Sequence, residues 1–397
     1  MSQSSWSRLL YRRGVPLWRD VVVLQWVAQI VSAIVVVGFT VFFISNILEA
    51  ANARGLGLGY GFLADPAGFP LPESVLEYDP SRPFGYAFLI GLLHTIRVAL
   101  VGIVLATVLG IFAALARLST NWLVSKMAST YIEIIRNVPL AVQLFFWFFA
   151  VFLQLPSVQD SIELPGPVYL SQRGLYTVWA TPTGTFGLWM IFVGAALGLA
   201  LVLYLFLSRH QVQTGRTTYP VATSLAVLVI LPAVGWLVVG SSPLAKTVPE
   251  LGRFNFQGGL ALTPEFTALL TGLVIYTGAF IAEVVRAGIL AVDRGQFEAA
   301  RAMGLTGMQV LRLVVFPQAL RVIIPPLISQ YLNLTKNSSL AVLVGYPDLF
   351  FVGKTTINQA GRAVPVFVLM MACYLAMSLI TSLIMNIYNR RVRLVER

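Results

Sequence analysis

Residues 293 to 317 read DRGQFEAARAMGLTGMQVLRLVVFP, a polar stretch set between two long apolar runs. The spacing predicts two short helices with a break between them. Asp293 can cap the first helix, with Gln296, three residues on, returning the bond to its backbone, and Gly304 supplies the C-terminal stop. Thr306 followed by Gln309 is a second capping box. The first helix carries Phe297, Ala299, Ala300 and Met303 among charges, small residues for close approach and larger ones to fill a pocket. Such a helix suits a groove on a partner. On physical grounds alone, an interfacial or re-entrant helix joining two spans reads as well.

What flanks this stretch belongs in a bilayer. Only 11% of the 397 residues are charged, against about a quarter in an ordinary soluble domain, while 57% are hydrophobic. Mean hydropathy is +0.81. Runs near the roughly 20 apolar residues needed to cross a membrane fall at 21–45, 86–116, 133–154, 186–207, 221–240, 265–290, 321–343 and 363–388. The expectation is an all-α polytopic membrane protein of about eight transmembrane helices. The first run, preceded by Arg8, Arg12, Arg13 and Arg19, is too long for a signal-peptide core and is read as an anchor.

Lys and Arg set the orientation. With the N-terminus inside, 16 of the 27 fall on the cytoplasmic side and 7 outside, so both termini are expected in the cytoplasm. The net charge of +11 does not indicate nucleic acid, because the basic residues sit between apolar runs rather than in one stripe. One Cys and two distant His exclude an internal disulfide and a usual zinc site. The chain divides into 1–85, a cytoplasmic tail, the first span and an external Gly/Pro-rich segment; 86–154; 155–264, with external loops and a helix pair; and 265–397.

The residues of the polar stretch carry a resemblance. Glu298-Ala299-Ala300, then Gly304, then Val314, Phe316 and Pro317 resemble the EAA loop of permease subunits of ABC importers. Val314 and Phe316 depart from the usual Ile and Leu but stay apolar. Upstream, Ala282 to Gly288 (AEVVRAG) resembles polar amino acid permeases, as do Tyr131 to Leu140 (YIEIIRNVPL) with Gln143, and Leu334 to Leu340 (LTKNSSL). These matches cover about 86–154 and 265–388. The added first helix, Gly61 to Leu63, Ala67 to Phe69 and the extra pair of spans resemble the longer permease of general L-amino acid importers.

The resemblance implies a type I ABC importer permease core in a bacterial inner membrane, with 293–317 as the coupling loop. It implies docking of Glu298, Ala299, Ala300, Gly304 and Pro317 on a cytoplasmic ATPase dimer that holds the ATP and Mg, with no cofactor on this chain. A second permease subunit, in a heterodimer, and a periplasmic amino acid binding protein complete the implied partners, with membrane lipid around them.

Charged residues inside spans cost about 2.5 to 3.5 kcal/mol on insertion scales and need a partner, a route to the surface or a water-filled path. Lys336, with Asn333, Asn337, Ser338 and Ser339, forms a polar cluster in the seventh span and is read as a candidate translocation path, the plain alternative being interhelical hydrogen bonding. Glu283 with Arg286, and Glu133 with Arg136, share the i, i+3 spacing and are read as interfacial ion pairs or gates. Gly353-Lys354-Thr355-Thr356 mimics the tail of a phosphate-binding loop, but Asp348 stands where its first Gly belongs. The resemblance implies that the chain translocates L-amino acids, and without a phosphate-binding loop it is not expected to be an enzyme. An ion-coupled secondary amino acid transporter is the rival reading, and it predicts more intramembrane carboxylates than Glu283 alone.

Overall fold

A computed structural model describes residues 11–12, 15–16, 18–53 and 57–392. Arg8, Arg13, Arg54 and the C-terminal tail charges beyond Val392, on which part of the orientation rests, lie outside the described residues.

Helix α1 is Val21–Ala53, α2 Phe84–Arg117, α3 Trp122–Asn137 and α4 Leu140–Gln154. After the inserted segment, α5 spans Phe186–Thr214, α6 Pro220–Val238 and α7 Pro264–Leu290. The short α8, Arg294–Ala302, leads into α9, Gly307–Leu343, and the chain ends with α10, Leu349–Ala360, and α11, Ala363–Val392. Among the described residues seven helices are long and apolar enough to cross a membrane, or eight if α3 and α4 are one bent span.

That bent pair corrects the expected third span. Residues 133–154 are not one helix: the chain turns through 106° between α3 and α4. Val138 is extended and Pro139 precedes the first residue of α4, because the residue before a proline is pushed out of the helical region. Glu133 and Arg136 therefore sit on α3, ahead of the break. Gln143 staples the turn, its side-chain nitrogen donating to the carbonyls of Ile135 and Val138, both at 2.9 Å.

The core is built on α2 against α7. Ala99, Ala106, Ala113 and Ala114 are buried with Ile281, Ala282 and Val285, so small residues on α2 admit the larger side chains of α7. A Cβ on Gly110 would lie 2.5 Å from Ile281 Cγ2, and one on Gly288 2.3 Å from Ile323 Cγ1 of α9. Glycine is needed at both close approaches. In α9 the turn Val310–Val315 widens to a π-helix immediately before Pro317, which lacks the N–H that the carbonyl four residues back would need. Helices α5 and α6 pair with each other, with Gly235 against Phe192 and Ser224 Oγ donating to the Ala200 carbonyl at 3.0 Å.

The loops expected outside the membrane, within 155–264, are partly β structure, which their Pro, Gly and Thr content conceals. Strands β1 Ile162–Leu164, β2 Val168–Ser171 and β3 Gly174–Thr177 form a meander, and β8 Leu260–Leu262 pairs antiparallel with β3. Between them β4 Trp179–Pro182 pairs with β5 Leu244–Thr247, and β6 Glu250–Leu251 with β7 Phe256–Gln257. Tyr169 and Tyr176, cross-strand partners on β2 and β3, close over Phe256, with ring centroids 4.7 and 4.8 Å from its own. These small sheets leave the fold mostly helical. The segment 57–83 is a packed lobe, with Phe62, Phe69 and Leu71 buried against Phe84, α10 and α11.

Candidate functional site

Three polar constellations are distributed along the bundle, the first at the end that carries α8. Asp293 Oδ1 accepts from Gly295 N at 2.7 Å and caps α8. The Gln296 side chain does not return a bond to the Asp293 backbone; its Oε1 accepts from Gln318 Nε2 at 3.3 Å and ties α8 to α9 instead. Gly304 has φ +78°, its N–H donates to the Arg301 carbonyl at 2.9 Å, and Leu305 N donates to Ala300 O at 3.3 Å. This pair of bonds is the Schellman arrangement, which requires the left-handed residue that glycine supplies. Thr306 and Gln309 form the expected capping box, with Thr306 N donating to Gln309 Oε1 at 2.9 Å.

One face of α8 folds back on the chain's own π-turn, with Ala300 buried beside Val310 and Val315 and packed by Phe297 and Leu305. The other face carries Glu298 and Ala299 exposed, with Met303 82% and Met308 73% exposed, and Pro317 is also exposed. Of the five residues that the resemblance implicates in docking, Ala300 alone faces inward.

Just inside this end, Glu283 of α7 accepts from Arg117 of α2 at 2.8 and 2.9 Å and from Arg286 Nε at 2.6 Å. The Glu283 to Arg286 pair is present, and sequence reading missed its third member because Arg117 is 166 residues away. Glu133 and Arg136 do not pair. Glu133 accepts from Ser129 at 3.0 Å and lies 3.9 Å from Arg117, while Arg136 sits 5.1 Å over the Phe280 ring. On α3 they point to different neighbours once Pro139 has broken the span.

The second constellation is a polar cavity of about 310 Å³ between α7 and α9, lined by Tyr276, Thr277, Phe280, Gln330, Asn333 and Asn337. It divides the candidate path residues. Asn333 and Asn337 line it; Lys336 is exposed and outside the lining; Ser338 and Ser339 donate back to the carbonyls of Thr335 and Lys336, both at 2.7 Å, where α9 tightens to a 3₁₀ turn. Gln330 lies three residues before Asn333 and seven before Asn337, a helical stripe legible in the sequence.

The third constellation lies at the opposite end of the bundle. His94, fully buried, has Nδ1 2.9 Å from the Pro347 carbonyl and Nε2 3.1 Å from that of Glu73. Glu73 has φ +54°, and its carboxylate accepts from Thr263 N and, at 3.4 Å, from Arg97. Arg97 lies 4.2 Å over the Phe266 ring. Burial pushes the Glu73 carboxyl above its ordinary value, against the bonds from Thr263 and the charge of Arg97 that pull it down. Asp348 is fully buried at the start of α10, accepting from Phe351 N at 2.9 Å and from the Tyr374 hydroxyl at 3.1 Å. Burial outweighs those bonds and pushes its carboxyl up to about 7. Gly353 to Thr356 are helical in α10, with Gly353 packed on Met370, so no phosphate loop exists there.

Relatives align with this chain along most of its length. The general L-amino acid transport system permease protein AapQ of Rhizobium johnstonii is 43% identical over 373 residues, 93% of this chain and 92% of that protein. The glutamate/glutamine/aspartate/asparagine transport system permease protein BztB of Rhodobacter capsulatus is 35% identical over 404 aligned positions, 93% of each. Among solved structures, an amino acid ABC transporter crystallised with histidines aligns with a TM-score of 0.47 at 22% identity, covering 78% of this chain and 95% of that one. Residues 106–394, from the middle of α2 to beyond the last described turn of α11, match the family described as binding-protein-dependent transport system inner membrane component, and the chain belongs to that family.

Proposed function

We propose that this chain is the permease subunit of an ATP-driven importer of L-amino acids. The single observation that carries the reading is the relationship to AapQ and BztB through 93% of the chain. Helix α8 supports it: capped at both ends and anchored by Ala300, it presents Glu298, Ala299 and Met303 outward beside the cavity-forming helices. In this reading a cytoplasmic ATPase dimer holds ATP and Mg and grips α8, and a second permease subunit completes the path. A periplasmic binding protein delivers the solute, and both termini are cytoplasmic. Asn333 and Asn337 line the route between α7 and α9, with Lys336 set to steer or select at its edge. Closing the ATPase pair moves α8 as a rigid body and opens the opposite end.

An ion-coupled mechanism has less support. It needs an intramembrane carboxylate free to exchange a proton or cation, whereas Glu283 is held by two guanidinium groups.

The test is uptake into proteoliposomes holding the transporter with every subunit that co-purifies. Accumulation of L-amino acids that requires ATP and the binding protein is the expected result; accumulation driven by an ion gradient without ATP overturns the proposal. Lys336→Met, with uptake and ATP hydrolysis read separately, tests the path: hydrolysis persists while uptake falls. Unchanged uptake across several amino acids removes Lys336 from it.

A further inference from the structure

The ion pair between Glu73 and Arg97 lies on the wall of a cavity of about 710 Å³ at the end of the bundle opposite α8, within the size range of small-molecule sites. Separate parts of the chain build it. Glu73 comes from the packed lobe 57–83, Arg97 from α2, Phe266 from the start of α7, and Trp179 of β4 with Leu262 of β8 from the small sheets. The remaining wall is largely apolar, with Val101, Leu105 and Leu270.

The pair is loosely made. Its closest approach is 3.4 Å, whereas charge-assisted bonds of this kind run about 2.7–2.9 Å. Arg117 and Glu283, in the same molecule, reach 2.8 Å. Both charged side chains are nonetheless held in place. The Arg97 guanidinium rests on the Phe266 ring at 4.2 Å, and among the described residues it donates to Glu73 alone. Glu73 is fixed at both ends, its carbonyl against His94 Nε2 and one carboxylate oxygen on Thr263 N, leaving Oε2 toward the cavity side where Arg97 stands.

A fixed cation and a fixed anion, side by side but incompletely paired, at the edge of a largely apolar cavity, match the two main-chain charges of a zwitterion. We infer that Glu73 and Arg97 form an entry site that reads the ammonium and carboxylate of a free α-amino acid, the cavity accepting its side chain with little discrimination. The inference rests on the proposed transport of amino acids and adds a site for them that is separate from the Asn333 and Asn337 cavity. The competing role for the same pair is purely mechanical, pinning the lobe to α2 and α7.

The two roles separate by analogue binding. The purified transporter, without its binding protein, is titrated with L-glutamine, L-leucine and L-arginine, with their carboxyl amides, and with the acids that lack the amino group. Each charged contact is expected to be worth about tenfold or more in affinity. The wild type then prefers the intact amino acids over both sets of analogues. Arg97→Met erases the preference over the amides and keeps the preference over the des-amino acids; Glu73→Gln does the reverse.

No binding by the wild type, or an equal loss for every probe in both variants, overturns the inference in favour of pinning. Should a neutral variant fail to fold, Arg97→Lys and Glu73→Asp keep the charge and change its reach. Each must then shift one preference selectively, and unshifted preferences also overturn the inference. A transporter that accumulates amino acids on ATP yet gives an overturning result loses this site alone, whereas one that accumulates none loses the proposed function first.

Discussion

Arg117, the last residue of α2, donates two hydrogen bonds to the carboxylate of Glu283 in α7, and Arg286, one turn further along α7, donates to the same carboxylate. The three residues join the two central helices at the end from which α8 departs. One carboxylate balances two guanidinium groups, so the consequences of substitution are unequal. Glu283→Gln leaves two like charges facing each other and should lower apparent stability by about 2 kcal/mol. Arg286→Met leaves the Arg117 pair intact and should cost less. Thermal unfolding of the purified complex measures both. A double-mutant cycle on Arg117→Met and Glu283→Gln should give a coupling of about 1–2 kcal/mol. Additive effects exclude a direct link between the helices.

Gly304 ends α8 with φ +78°, and a Cβ built there meets nothing within 4 Å. Within this chain the requirement for glycine is one of backbone conformation and not of space. Gly304→Ala should therefore unwind the end of α8 at a cost of about 1 kcal/mol, and Gly304→Asn should cost less because Asn tolerates the left-handed region. Gly304→Asp is expected to leave the protein in the membrane and reduce ATPase retention. Co-purification of the ATPase and ATP-driven uptake should fall more for Ala than for Asn. If Ala and Asn are equally damaging, the partner surface sets the requirement.

The parts legible in the sequence were those with a local cause. Apolar run length placed every long helix, and capping chemistry placed Asp293, Gly304 and the Thr306 to Gln309 box because each depends on residues within a few positions. The break at Pro139 was missed because a proline near a helix start and a proline at a chain reversal look alike until Gln143 is seen crossing between them. The partners of Glu283, Glu73 and Asp348 lie 166, 190 and 26 residues away, and pattern reading carries no distance of that kind. The β meander was hidden because strands of two to four residues leave little room for alternation.

Gln143 bridges the 106° turn with both donors of its amide, and it is buried to 6% exposure. Gln143→Leu keeps volume but orphans the carbonyls of Ile135 and Val138 at the end of α3. Each unpaired buried carbonyl costs about 1–3 kcal/mol, with water able to rescue part of it at this end. Hydrogen exchange should rise across residues 134 to 142 with little change in α2 or α7. Unchanged exchange at the turn would show that Val138 and Pro139 hold the geometry unaided.

Asp348 gives the molecule a pH dependence of defined sign. Its carboxyl is pushed from 3.8 up to about 7 in the fold, so between those values the folded chain binds a proton that the unfolded chain releases. Its contribution is fully present below about pH 4, declines as pH rises, and is gone above about 7. Asp348→Asn removes this slope while its Oδ1 still accepts from Phe351 N and its Nδ2 donates to the Tyr374 oxygen in place of accepting from it. Glu73, raised in the same direction, and His94 are common to both proteins and cancel in the difference between them. Thermal midpoints from pH 5 to 8 should fall more steeply for the wild type than for Asp348→Asn. Parallel curves would place the charged form of Asp348 in the folded protein throughout that range.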